Sequence, residues 1–289
     1  MATYVITGSA SGMGRATAER LRAAGHTVIG VDLRDAEVIA DLSTPAGRVG
    51  AIAEVLDRSE STLDGAVFAA GLGPGKGEDR LRLIAEVNYF GTTELLDAWR
   101  DALAATGSAK VVLFSSNSTT TMPLVSKRTV SAFLAGNREK AVASTRLMGD
   151  NAGAFVYAGS KIALTRWMRR ASVLPAWIGA GIRLNAIAPG AILTPLLQAQ
   201  LDDPDMAGAI ESFPVPSGGY GTPEAIAQWV EFMLSPAADF LVGSQIVVDG
   251  GTDAYFRSDD WPVPVGLGGL RAYLRRTKQF AARKASSTT

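Results

Sequence analysis

The chain holds no cysteine and one histidine among its 289 residues. Without thiols there is no disulfide, no cysteine nucleophile and no Cys-rich zinc site, and one histidine cannot supply the two of H-E-x-x-H. No metal site is expected. The histidine, His26, sits in Gly25-His26-Thr27 ahead of an apolar run and reads as a turn residue. No histidine follows the serines of the later chain, so a hydrolase triad in the order Ser, acid, His is excluded. Proton chemistry is left to Tyr, Lys, Asp or Glu.

Net charge is also missing. Lys+Arg 28 equal Asp+Glu 28, so no global field draws the chain to nucleic acid or to an anionic membrane. Long apolar runs are lacking: the longest uncharged stretch, Leu184 to Leu201, is broken by Pro189 and Pro195 and carries Asn185 and two Gln. No membrane span is expected. The N-terminus has no basic segment of the signal-peptide kind, and a soluble cytoplasmic protein is the expectation.

The 47% hydrophobic composition supplies a large core, enough for one α/β domain or two ordinary ones. Its most informative stretch is Thr7-Gly8-Ser9-Ala10-Ser11-Gly12-Met13-Gly14, between the apolar run Thr3 to Ile6 and the helix-like run Arg15 to Ala24. Glycines let a backbone turn sharply and approach a ligand, and the free N–H groups of a helix start favour an anion. The spacing is G-x-x-x-G-x-G rather than G-x-G-x-x-G. A tight strand-to-helix turn with no ligand is the competing reading.

The next apolar run, Thr27 to Val31, ends at Asp32, 24 positions after Gly8. An acid there can accept hydrogen bonds from both hydroxyls of an adenine ribose and repels a 2′-phosphate. Such charge-assisted bonds contribute about 1.5–3 kcal/mol, a tenfold to hundredfold preference for NAD over NADP. Arg34, close by, could meet a phosphate and make the preference incomplete. The alternative for Asp32 is an ordinary solvated strand end.

Further strands are expected at Glu37 to Ala40, Gly65 to Ala69 and Lys110 to Ser116, with helices from Pro45 to Asp57 and Asp79 to Ala104. Alternating strands and helices mean parallel βαβ units with right-handed crossovers. The expected fold class is therefore α/β, a single doubly wound parallel-sheet (Rossmann) domain over residues 1–251 with helices on both faces. Residues 117–150 fit no strand-helix unit, although Val130, Phe133 and Leu134 share a helical face.

Tyr157-Ala158-Gly159-Ser160-Lys161 opens a helix to about Ala176, in which positions i and i+4 project side by side. A free tyrosine titrates at about 10. A nearby ammonium lowers that value, and a tuned tyrosine can exchange a hydroxyl proton while a nicotinamide ring exchanges hydride. Ser116, at a strand's carboxyl end, can hydrogen-bond the substrate oxygen. An amphipathic helix surface is the bland reading of Y-x-x-x-K.

With these residues in order the chain resembles the short-chain dehydrogenases/reductases, over roughly Thr3 to Gly251. The motifs are Thr7-Gly8-x-x-x-Gly12-x-Gly14, Asp41-Leu42, Ala70-Gly71, Asn88, Ser116, Tyr157-x-x-x-Lys161, Pro189-Gly190 and Val248-Asp249-Gly250-Gly251. The resemblance implies Tyr157 as general acid/base, Ser116 rather than Ser115 as the substrate-orienting hydroxyl, and Lys161 as tuner and ribose ligand. It implies Asn88 as the holder of a relay water. It further implies a cofactor site of Gly8, Ser9, Gly12, Met13, Gly14, Asp32, Asp41, Leu42, Ala70, Gly71, Tyr157, Lys161, Pro189, Gly190, Ile192 and Thr194. Asp41 and Leu42 would flank the adenine, and Thr194 would meet the nicotinamide carboxamide.

A narrower resemblance, to the bacterial 3α-hydroxysteroid dehydrogenase/carbonyl reductase subgroup, rests on Val31 to Ser43, Ala70 to Pro74, Val87 to Gly91 and Thr194 to Gln198. It implies NAD(H)-dependent oxidation of a hydroxysteroid or reduction of ketones and aldehydes. Another secondary alcohol, terpenoid or cyclic, and a non-catalytic NAD-binding regulatory protein are the other readings. Residues 193–217 would form a substrate lid whose apolar face is Leu196, Leu197, Leu201, Met206, Ile210 and Phe213, suited to a hydrophobic substrate.

Two departures stand out. Ser116 and Tyr157 are 41 positions apart, where the family spacing is about a dozen, so residues 117–150 are an insertion. Many relatives pair helices there, so a homodimer or homotetramer built differently is expected. The second departure is the extension 252–289, whose last twenty residues carry six Arg or Lys and no acid. Leu270, Tyr273 and Leu274 have helical spacing, so the end reads either as a basic amphipathic segment or as a solvated terminus.

Overall fold

The computed structural model describes residues 1–286, apart from a few side chains in the lid and at the end of the last helix. Seven strands form one parallel sheet: β1 (Thr3–Thr7), β2 (Thr27–Asp32), β3 (Val38–Ile39), β4 (Gly65–Phe68), β5 (Lys110–Phe114), β6 (Arg183–Pro189) and β7 (Gln245–Val248). Their order is β3-β2-β1-β4-β5-β6-β7. The chain begins in the middle of the sheet, winds outward to β3, then returns past β1 to build the other half. Val, Ile and Ala fill the central strands because a parallel sheet is covered on both faces.

One face is covered by α1 (Gly12–Ala23) and α12 (Pro223–Leu234), whose Ala18, Leu21, Ile226, Val230 and Met233 meet Ile6, Val67 and Phe114 of the strands. The other face carries α2 (Pro45–Arg58), α3 (Glu78–Ala85), α4 (Thr92–Ala98), α5 (Arg100–Ala104) and α9 (Ala152–Ala171), over a larger core that includes Trp99 and Met168. Proline stands at the start of α2 and α12, where its missing N–H costs nothing, with Thr44 and Thr222 capping the first turns. The chain divides into two units, Met1–Asp253 and Ala254–Thr289.

The expected helix from Asp79 to Ala104 is corrected: it is broken at two places, the second at Trp99 between α4 and α5. A π turn, Glu86–Gly91, interrupts it between α3 and α4. Inside this turn the Asn88 amide makes a reciprocal pair with Leu72, donating to its carbonyl at 2.9 Å and accepting from its N–H at 2.8 Å. The helix carrying Tyr157 is displaced as well, opening at Ala152 and closing at Ala171. Gly153 lets the first turn of this helix pass Gly75, whose carbonyl oxygen a Cβ there would approach to 2.0 Å.

The 117–150 insertion is helical. It contains α6 (Ser118–Thr121), α7 (Lys127–Leu134), α8 (Arg138–Ala143) and a 3₁₀ turn at Arg146–Asn151. Val130, Phe133 and Val142 are buried. Phe133 stacks within 5.2 Å of Tyr89 and 5.7 Å of Phe90, so the insertion lies on the π turn, and Thr129 lies on Gly159 of α9. Outside this apolar contact, Arg138 meets Glu86 at 2.9 Å and also Glu94, while the buried Arg48 meets the same two carboxylates.

The lid contains α10 (Pro195–Leu201) and α11 (Pro204–Glu211). Leu196 and Phe213 remain exposed, Leu197, Leu201 and Ile210 are half-buried, and the Met206 side chain lies outside the described residues. In the second unit, α13 (Thr252–Phe256) crosses the boundary and α14 (Leu270–Ser286) follows. Among the described residues no helix is long and apolar enough to cross a membrane.

Phe133→Ala removes the side chain that joins the insertion to Tyr89 and Phe90. It should cost about 3–5 kcal/mol of unfolding free energy in urea, as for a buried core aromatic; a loss within 0.5 kcal/mol, typical of a surface change, would mean that the insertion is not part of the core.

Candidate active site

Strand order reverses direction at β1, between β2 and β4, so the loops after those strands part and leave a crevice at the carboxyl edge. A cavity of about 520 Å³ occupies it. Gly8, Gly12, Met13 and Gly14 line one part, and Asp32, Asp41 and Leu42 another. Ala70, Gly71, Tyr157, Lys161 and Thr194 complete the wall.

The glycine loop is dictated by contact distances. A Cβ on Gly14 would lie 2.0 Å from the Gly8 carbonyl oxygen, and one on Gly8, at φ +73°, would lie 2.6 Å from the Ala70 nitrogen. Gly12, at φ +52°, faces the Thr194 methyl, which a Cβ would approach to 3.2 Å. The loop thus folds onto itself, onto the end of β4 and onto the lid. Ser11 precedes α1 without a side-chain cap bond, which leaves the first-turn N–H groups available for an anion. The Ser9 hydroxyl is buried and has no hydrogen-bond partner. A cradle that a Cβ would fill and a bare helix start fit a pyrophosphate, whereas the Ser9 hydroxyl lies against Gly30, behind the lining.

Asp32 is held in place at the cavity wall. Its two oxygens accept from the Ala10 N–H at 2.9 Å and the Leu33 N–H at 2.7 Å. Each carboxylate oxygen keeps a further lone pair for a ligand hydroxyl. Arg34 is strongly exposed, 3.9 Å from Asp35.

Across the cavity, Tyr157 and Lys161 project from one face of α9. The Lys161 Nζ is buried and donates to the Phe114 carbonyl at 2.7 Å. Removal from water pushes its pKa down to about 8. Burial likewise raises the Tyr157 phenol above its ordinary value, and a hydrogen bond with the Ser116 side chain acts in the opposite direction. The expected lowering by Lys161 is therefore corrected: its ammonium sits 6.0 Å from the tyrosine ring centroid and is committed to Phe114. Burial sets the direction for both groups.

The two adjacent serines are separated by their partners. The Ser115 hydroxyl is spent on Thr165 at 2.8 Å and Gln245 at 3.1 Å, whereas the Ser116 hydroxyl accepts the Ser118 N–H at 3.1 Å and acts on the Tyr157 phenol. Gln245 also accepts from Thr165 at 2.8 Å and donates to Thr119 at 3.1 Å, and Thr119 in turn donates to the Ser116 carbonyl at 2.8 Å. One amide on β7 therefore joins α9, the end of β5 and the backbone of Ser116.

Ser9, Asn88, Ser116, Pro189, Gly190 and Ile192 stand behind the cavity lining rather than in it. Gly190 lets the turn after β6 pass Asp249, which a Cβ would approach to 2.6 Å, and Ile192 bridges to Gly221. Arg80, Ser115 and Phe114 line the cavity without having been expected there. Arg80 is on a helix surface in sequence and reaches the wall by donating to the Gly73 carbonyl at 3.0 Å, a contact with no local signature.

The description "NAD dependent epimerase/dehydratase family" fits residues 4–172, and "Enoyl-(Acyl carrier protein) reductase" fits residues 137–253. The chain is 46% identical to the 3-alpha-hydroxysteroid dehydrogenase/carbonyl reductase of Comamonas testosteroni, over 89% of this chain and 98% of the relative. It belongs to the short-chain dehydrogenase/reductase family. Its chemistry is that of these NAD(P)(H)-linked oxidoreductases of CH–OH groups. The short-chain reductase protein NovJ of Streptomyces niveus is 30% identical over 86% of this chain and 92% of its own. Among solved structures, the 3-alpha-hydroxysteroid dehydrogenase of Pseudomonas sp. B-0831, complexed with NADH, superposes with a TM-score of 0.82. It is 42% identical and covers 89% of this chain and 99% of its own.

The Lys161 burial carries a pH signature. A lysine whose folded pKa, about 8, lies below its ordinary 10.5 binds fewer protons folded than unfolded between those values, so stability rises with pH across that window. The raised Tyr157 pKa reverses the trend above about pH 10. Lys161→Met should remove on the order of 2 kcal/mol of that rise between about pH 8 and 10. Parallel stability curves for the two proteins in urea would refute the burial of the charge.

Proposed function

We propose that this short-chain dehydrogenase/reductase uses NAD(H) to interconvert a hydrophobic secondary alcohol and its ketone, with 3α-hydroxysteroids and xenobiotic carbonyl compounds as the substrate class. The observation that carries the reading is the Tyr157–Lys161 pair on the wall of the cavity whose far part is the glycine loop, with the Ser116 side chain acting on the phenol. A substrate oxygen entering there would meet the Tyr157 phenol, with the Ser116 hydroxyl as its neighbour.

Bound along the cavity, the dinucleotide would supply or accept the hydride. Tyr157 gives the substrate oxygen a proton in reduction and removes it in oxidation, and Ser116 holds that oxygen in line. Lys161 lies beside the phenol and would meet the nicotinamide ribose. The Asn88 amide, paired once with Leu72 at each end, keeps one further donor and one further acceptor site, sufficient to hold a water. Gly8 to Gly14 would hold the pyrophosphate, Asp41 and Leu42 the adenine, and Thr194 the carboxamide. The fixed carboxylate of Asp32 supports NAD over NADP, since a 2′-phosphate would face a negative charge already oriented by two N–H groups.

The apolar part of the wall, including Leu72, Val87 and Leu196, supports a hydrophobic substrate, as does the name of the Comamonas relative. The insertion lies on α9 and the π turn, which supports a homodimer or homotetramer that does not pair its long helices. A dimer structure in which α3–α4 and α9 pair with their symmetry mates about a two-fold axis would overturn this.

The principal test is turnover on a panel of steroid and non-steroid ketones and alcohols, followed by nicotinamide absorbance with NAD(H) and NADP(H). Tyr157→Phe should lower kcat by about two to four orders of magnitude, with cofactor affinity changing far less. Equal kcat in the variant would remove Tyr157 from the mechanism, and saturation by NADP below NAD would remove the role given to Asp32.

A further inference from the structure

We propose that the segment following Asp253 is a peripheral anchor for anionic lipid bilayers, with α14 lying in the headgroup plane. The segment follows the end of the family match at residues 137–253. A stretch of 89% of this chain suffices to match 98–99% of the Comamonas and Pseudomonas proteins, and the family motifs end at Gly251.

Its charge is segregated from the rest. From Trp261 to Thr289 there is no acid and there are six cations, so in a chain of zero net charge residues 1–260 carry six excess acids. The body is repelled by an anionic surface, and the tail is attracted to it. Zero net charge conceals this polarity.

The structure gives the tail a second face. At 100° per residue in α14, Leu270, Tyr273, Leu274, Thr277 and Phe280 gather on one side, with Arg271, Arg275 and Lys278 opposite and flanking it. The four large apolar side chains are 47–70% exposed. The linker before the helix adds Trp261, Val263, Val265 and Leu267, all exposed, with no charge between Trp261 and Leu270. A nucleic acid would engage the cations and leave the apolar face in water. A bilayer interface takes both, burying apolar side chains at the acyl boundary and placing Lys and Arg among phosphates. An enzyme so placed meets apolar substrates at the concentration they reach in lipid. That benefit rests on the substrate reading above; the anchor does not.

The test is co-sedimentation of the full chain with phosphatidylcholine vesicles, with and without about 30 mol% phosphatidylglycerol. Binding should require the anionic lipid and weaken with salt. Replacing Arg271, Arg275, Arg276 and Lys278 by Gln should reduce partitioning by about three orders of magnitude, at roughly fivefold per cation. Leu274→Ser with Phe280→Ser should abolish it even at low salt. Turnover of a water-soluble substrate, unchanged in both variants, would establish that the body is folded. The proposal fails if neither vesicle binds, if both bind equally, or if the serine variant binds like the parent. It fails too if the full chain prefers RNA to vesicles, or if the serine variant changes only the oligomeric state.

Discussion

The cavity exists because the first loop packs against itself at a distance only glycine permits. With the Gly8 carbonyl where a Gly14 Cβ would be, α1 starts as close to β1 as a helix can. Its bare N–H groups then face the crevice instead of solvent. The same Gly8 lies against Ala70 at the end of β4, and Gly12 lies against Thr194 at the root of the lid. Three distant parts of the chain are therefore spaced by the absence of three methyl groups. A side chain at any of the three positions would part the loop from one of its neighbours.

At the opposite wall the governing term is desolvation. It holds Tyr157 in the phenol form and weakens the Lys161 cation, so a neutral phenol stands near an ammonium that gives up its proton more readily than a free one. The Ser116 hydrogen bond is the one influence that favours the phenolate. A site of this kind is poised by geometry, since the hydroxyl, phenol and ammonium come from two elements held together by the Phe114 carbonyl and the Gln245 amide. The position of α9 relative to β5 is thus as much a part of the chemistry as the side chains.

The parallel sheet, the glycine loop, Asp32 and the Tyr157–Lys161 face were legible in the sequence because each follows from a pattern within a few residues. A strand ends where apolar residues give way to Gly or Asp, and i, i+4 neighbours share a helical face. What was not legible depends on partners far away in sequence. The π turn at Asn88 is compensated by Leu72, sixteen positions earlier. The first turn of α9 passes Gly75 at a distance only glycine permits, and Arg80 enters the wall through Gly73. The direction of the Tyr157 shift was misjudged because spacing reveals which groups are near but not how much water surrounds them. The helical face of Val130 and Phe133 was visible, but Tyr89 and Phe90 beneath it were not.

Gln245 stands apart from these because of where it falls in the chain. Translation delivers Thr7 to Gly14 first, then Asp32, Ser116 and Tyr157, and only near its end the amide that ties α9 to the backbone of Ser116. Domains fold as units while the chain is being made. The crevice therefore takes its final form only once β7 has been made, and a chain cut short of that strand would hold nearly every residue of the site without the amide that ties the proton-handling side together.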